Sequence, residues 1–166
     1  FHVYGNYLGP NGVGKLIIEK GTAYGETFDV ATSALRFEGT GVRLDKIDIS
    51  KSTGKVTGAA WVAWDGNYSF DATGSKIPVE SLATVSFPSA PLSGIMSFDA
   101  TGTGTFDTPR YDVKIGIADL FVGDEGIGQV TGRLALRGEM MTLDAEASSN
   151  RLSVSGSGRI ALTPEM

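Results

Sequence analysis

The sequence predicts an all-β protein, a succession of antiparallel strands with one apolar and one polar face each. Three observations carry this expectation. Apolar and polar residues alternate with a period of two along most of the chain, the signature of strands wetted on one side. Glycine supplies 23 of 166 residues against 20% charged and 9% aromatic ones, which suits frequent short turns better than a helical bundle. Only Pro78 to Ala83 reads as helical, a single turn with Pro first and Glu80 early.

Taken in order, the first clear beat sets Phe28, Val30 and Thr32 on one side and Asp29, Ala31 and Ser33 on the other. Val42 and Leu44 alternate with Arg43 and Asp45. Val56, Ala60, Val62 and Trp64 alternate with Thr57, Ala59, Trp61 and Ala63, so that Trp61 is out of place on its side. Asp65-Gly66-Asn67 then marks a hairpin turn into Tyr68, Phe70 and Ala72, and the spacing predicts a cross-strand pair of Trp64 with Tyr68. The second half repeats the scheme with Met96, Phe98 and Ala100; Val113, Ile115 and Ile117; Val130, Leu134 and Leu136; and Met141, Leu143 and Ala145. After a turn at Ser148-Ser149-Asn150, Leu152, Val154, Ile160 and Leu162 close the series. The length fits one domain, 1–166, with a connector at Phe87-Pro88-Ser89-Ala90-Pro91 that suggests an internal repeat boundary near 85–92. Such strands have two physical solutions: a sandwich that buries the oily face against a second sheet, or a curled sheet whose oily face lines an interior.

Composition excludes several functions. A net charge of -5 argues against a nucleic-acid partner, because holding a polyphosphate takes Lys and Arg. No cysteine is present for a disulfide, thiolate site or nucleophile. The sequence lacks an apolar run of about 18 residues and the charged-then-apolar start of a signal peptide, so any targeting segment of an exported parent would lie elsewhere. Gly9-Pro10-Asn11-Gly12-Val13-Gly14-Lys15-Leu16 nearly matches a phosphate-binding loop, but Leu16 replaces the magnesium-binding hydroxyl. A β-like run, Ile17 to Gly21, follows where a helix should open, and the stretch reads as a Gly-rich turn. His2 is the lone histidine and sits beside the chain start, leaving nothing to build a triad or histidine metal site. Asp45, Asp48, Asp71, Asp99, Asp112 and Asp144 fall on the polar alternates or in turns, as a solvated face requires, rather than as a glycosidase pair. Gly123 to Gly128 lacks the spaced oxygen ligands of a calcium loop and reads as a tight turn. Asn67-Tyr68-Ser69 fits a glycosylation sequon, which matters only in a eukaryotic secretory route. No catalytic residue, metal or cofactor is expected.

Several stretches resemble the TamB-like branch of the AsmA-like envelope proteins of two-membrane bacteria. They are Gly54-Lys55-Val56-Thr57-Gly58-Ala59-Ala60 leading to Tyr68-Ser69-Phe70; Ile77-Pro78-Val79-Glu80-Ser81-Leu82; Pro91-Leu92-Ser93-Gly94 with Ala100 to Pro109; and Leu152 to Gly158. The resemblance implies an elongated, curled antiparallel sheet, a β-taco or groove with an apolar interior. It further implies a segment of a periplasmic bridge that carries phospholipid between inner and outer membranes, its parent anchored in the inner membrane. Its partners would be phospholipid acyl chains, neighbouring repeats of the parent and an outer-membrane β-barrel protein. The alternation supplies the expected lining of that groove: Val30, Phe37, Leu44, Val62, Phe70, Phe98, Ile115, Leu134, Leu143 and Val154 on one continuous face. Two other readings stand beside it, an adhesive β-domain closed as a dry sandwich and a module that assists outer-membrane protein assembly by offering sheet edges.

Overall fold

The computed structural model describes residues 2–6, 8–85, 90–149 and 153–162. Its strands are β1 (His2–Asn6), β2 (Gly9–Ala23), β3 (Glu26–Glu38), β4 (Gly41–Lys51), β5 (Gly54–Ala63), β6 (Asn67–Pro78), β7 (Leu92–Thr105), β8 (Pro109–Val122), β9 (Glu125–Arg137), β10 (Met140–Ser148) and β11 (Ser153–Ala161). All eleven form one open, curled sheet in which every strand pairs antiparallel with its neighbours in sequence. Among the described residues no second sheet is stacked on this one. Short turns make this order the natural one, since an antiparallel neighbour needs only a hairpin. Gly25, Gly66, Gly123 and Gly138 take positive φ at four of those turns, where a side chain would be strained.

The long connection, between β6 and β7, holds two 3-10 turns, Val79–Ser81 and Ala83–Val85, and no α-helix among its described residues. Pro78 and Leu82 are both extended (ψ 124° and 120°), so the stretch expected to be helical is broken in its middle before a second turn can form. Residues 86–89 of the expected connector lie outside the described residues. Across it β6 pairs directly with β7, Ala72 opposite Ala100, and the sheet continues through the position of the expected repeat boundary.

Four strands carry an extra residue, β9 at Ile127 opposite Leu120 and Phe121, and three others where a charged residue stands at the slip. The register slips between Leu44 and Ile47 in β4, Gly74 and Ile77 in β6, and Ile117 and Leu120 in β8. At each of these three a charged residue, Lys46 (φ 52°), Lys76 (φ 52°) or Asp119 (φ 51°), adopts the left-handed backbone. Bulges of this kind bend a strand and add twist, which favours curling over flatness. They also keep the faces true. Leu44 and Ile47 are three apart and would point oppositely in a regular strand; the extra residue returns Ile47 to the side of Leu44.

Candidate functional site

Residues directly opposite in an antiparallel ladder share a face, so the register can be followed from strand to strand as rows. One row runs Gly14, Leu35, Leu44, Ala60, Phe70, Gly102, Tyr111, Leu136, Met141, Ile160. Parallel rows on the same side include Phe37, Val42, Val62 and Tyr68; Ala72, Ala100, Val113, Leu134 and Leu143; Val56, Gly74, Phe98 and Ile115; and Ile77, Met96, Ile117, Val130, Ala147 and Val154. None of these positions carries a charge. The opposite face is wet: one of its rows reads Thr57, Thr73, Asp99, Lys114, Arg133, Asp144 and Ser157. Ion pairs on that side, Arg36 with Asp45 at 2.6 Å, Lys55 with Asp48 at 2.7 Å and Arg137 with Asp112 at 2.7 Å, are open to solvent and add little stability.

Nine of the ten expected lining residues therefore share a face: Phe37, Leu44, Val62, Phe70, Phe98, Ile115, Leu134, Leu143 and Val154. Val30 does not. It pairs with Glu19 and Ser50 on the polar side, and Thr32 lies there too, opposite Ile17 and Asp48. Val30 and Phe37 are seven apart in a strand without a bulge of its own, so their side chains leave opposite faces. Ala31, paired with Ile18 and Ile49, takes the apolar side instead. The expected Trp64–Tyr68 pair is corrected as well: Val62 faces Tyr68, while the Trp64 indole N–H donates to the Gly39 carbonyl at 2.7 Å. Trp61 lies on the polar face between Arg43 and Ser69.

Among the described residues no second sheet and no α-helix lies over the apolar face. Among the described apolar residues, only Ala63, Tyr68, Ile77, Val79 and Leu136 are buried, and Leu143 and Val154 are 39% and 55% exposed. A compact protein of 17.4 kDa shows about 7,850 Å² of accessible surface, whereas this chain shows 11237 Å². The excess, about 3,400 Å², marks a single-layered sheet rather than a compact two-layered domain. Phenylalanines lie flat on it. A Cβ added to Gly74 would fall within the Phe98 ring and one added to Gly102 within the Phe70 ring, so each glycine is the seat for an aromatic side chain from the next strand.

Polar interactions gather at the two ends of the strands. At one end of the strands the connection after β6 runs back to β3, where the Glu26 carboxylate accepts from Lys51 Nζ (2.6 Å), Thr84 N (2.8 Å), Thr84 Oγ1 (2.7 Å) and Ala83 N (3.1 Å). The Lys51 ammonium, then the Thr84 and Ala83 donors, outweigh partial burial and hold the carboxyl down at about 2. At the other end Tyr68 stacks on Phe106 (5.4 Å between ring centres) and meets Tyr111 (6.1 Å) and Phe70 (6.4 Å). The rings of β6 and β8 reach one another because Gly102 and Gly104 of β7, between them, carry no side chain. Sequence reasoning missed both groups. The glycine pair in Thr101-Gly102-Thr103-Gly104 was the available signal for the aromatic cluster, and Glu26 gave none, since its partners lie 25 and 58 residues away.

The phosphate-loop look-alike, residues 9–16, lies within β2, extended and paired with β1 and β3. His2 is exposed on the edge strand β1. Among the described residues no cluster of His, Asp and Glu is arranged to hold a metal ion, and no helix is long and apolar enough to cross a membrane. No family model, curated protein or solved structure matches the chain.

Proposed function

We propose that the chain is a segment of a lipid-transfer bridge in the envelope of a two-membrane bacterium, its apolar face shielding phospholipid acyl chains as they cross the periplasm. The observation that carries this reading is the uncovered apolar face that runs through all the central strands, with a charge, Lys51, only at the strand ends, while the opposite face is polar. Acyl chains are suited to cover it. Each CH₂ removed from water gains about 0.8 kcal/mol, and rows of Val, Leu, Ile, Met and Phe offer no single deep minimum to stop a chain from sliding. Headgroups would stay at the open margins, in water. No covalent step is required.

The free outer edge of β11, nine exposed residues without proline, supports a second reading, in which the module pairs with a strand of a neighbouring repeat or an outer-membrane client. A photoreactive residue at position 98 or 134 separates these. Lipid adducts on the folded chain are expected for the conduit; crosslinks to protein alone would overturn it. As a companion test, Phe98→Asp and Leu134→Asp should abolish lipid adducts, while Asp99→Arg and Arg133→Asp on the polar face should retain them, since a charge under acyl chains costs several kcal/mol to desolvate.

A further inference from the structure

The apolar face is almost free of hydrogen-bonding side chains, and the exceptions differ in how they are satisfied. Ser33 is buried, and its hydroxyl lies 3.0 Å from the Asp45 carbonyl and donates within the protein. Tyr68 is 8% exposed, and its hydroxyl oxygen is buried with no hydrogen-bond partner among the described residues. A buried donor in that condition is costly and uncommon.

The Tyr111 hydroxyl stands near that of Tyr68. Its pKa is pushed above the ordinary tyrosine value, first by interaction with the Tyr68 hydroxyl and then by burial. The two oxygens thus sense each other, yet their geometry falls short of a hydrogen bond and leaves Tyr68 unsatisfied. Phe106, whose ring stacks on Tyr68 at 5.4 Å, is 69% exposed in the β7–β8 turn, so that displacing it would give up little packing.

We propose that the Tyr68 hydroxyl, beside the Tyr111 ring, is the donor of a binding site for the ester carbonyl of a phospholipid acyl chain, with Phe106 as its movable cover. This rests on the conduit reading and adds a fixed point to it. An acceptor is what the Tyr68 O–H lacks. The acceptor must come attached to an apolar chain to lie on this face, and a phosphate is excluded because the two rows that hold Tyr68 and Tyr111 contain no Lys or Arg. An ester carbonyl, at the junction of acyl chain and glycerol, meets both conditions. A dialkyl ether of the same length meets only the second, since its oxygen is the poorer acceptor.

The test is calorimetric titration of the chain with a short-chain diacyl phosphatidylcholine and with its diether analogue. The wild type should bind the diester about threefold to tenfold more tightly, the effect of one net hydrogen bond. Tyr68→Phe should bring that ratio close to one by weakening binding of the diester. The lipid-free Tyr68→Phe variant should melt no lower than the wild type, because it loses only an unsatisfied group. Equal affinities in the wild type, a ratio that survives Tyr68→Phe, or a lower melting point of the lipid-free variant would each overturn the site. If the wild type binds neither lipid, the conduit reading itself has failed and the site falls with it.

Discussion

Replacing Glu26 by Gln should loosen the connection after β6 in a way that pH reveals. The carboxyl is lowered from 4.5 to about 2 by the Lys51 ammonium first, with Thr84 and Ala83 adding to it. Converted in full, that shift corresponds to about 3 kcal/mol. The side chains of Glu26 and Lys51 are 25% and 20% exposed, so solvent screening reduces the figure to about 1–2 kcal/mol. A depressed carboxylate stabilises the fold fully above its unfolded value and loses that contribution as pH falls through the folded one. Wild type should therefore exceed Glu26→Gln by about 1–2 kcal/mol at pH 7, or about 2–6 °C in melting temperature for a chain of this size. The difference should fade between pH 4.5 and 2, where the wild-type carboxyl is itself neutralised. Thermal melts of both proteins by circular dichroism across that range provide the measurement. Parallel curves from pH 7 to 2, or equal melting points at pH 7, would refute the assignment of Glu26 as the anchor.

Two further outcomes follow from the register. Val30→Lys should be tolerated within about 0.5 kcal/mol, because its neighbours across the ladder are Glu19 and Ser50, whereas Ala31→Lys puts a charge between Ile18 and Ile49 and should cost more than about 1 kcal/mol in urea unfolding. Glycine at Lys46, Lys76 or Asp119 should raise the urea midpoint, each relieving a left-handed backbone by about 0.5–1 kcal/mol; a loss at all three would show that these side chains hold the bulges by contacts of their own.

Most of the strand faces were legible because period-two alternation is a direct print of the pleat. From Met96 to Ala145 the apolar residues read from sequence are those on the apolar face. The reading failed at Val30 for an equally physical cause. Phe28 and Val30 keep one beat while Leu35 and Phe37 keep the other, and the small residues between them, Ala31, Ser33 and Ala34, fit either side of a sheet. The bulges were written more plainly than they were read. Leu44-Asp45-Lys46-Ile47, Gly74-Ser75-Lys76-Ile77 and Ile117-Ala118-Asp119-Leu120 each place two inward positions three apart around a charged residue, a spacing that a regular strand cannot satisfy. The Tyr68 cluster and the Glu26 anchor depend on which strands and connections meet, and local pattern carries no such information.

The purely sequential strand order makes length an independent variable of this architecture. Every ladder joins chain neighbours, so stability is distributed as a series of adjacent interfaces, much as in a repeat array, and no distant crossover must be rewired when the series changes. Excising β8 and β9 together would bring β7 beside β10 with antiparallel sense preserved, and Gly102 and Met141, which already belong to one row, would face each other. Duplication or deletion in units of two strands thus lengthens or shortens the apolar face while conserving which side is oily and which is wet.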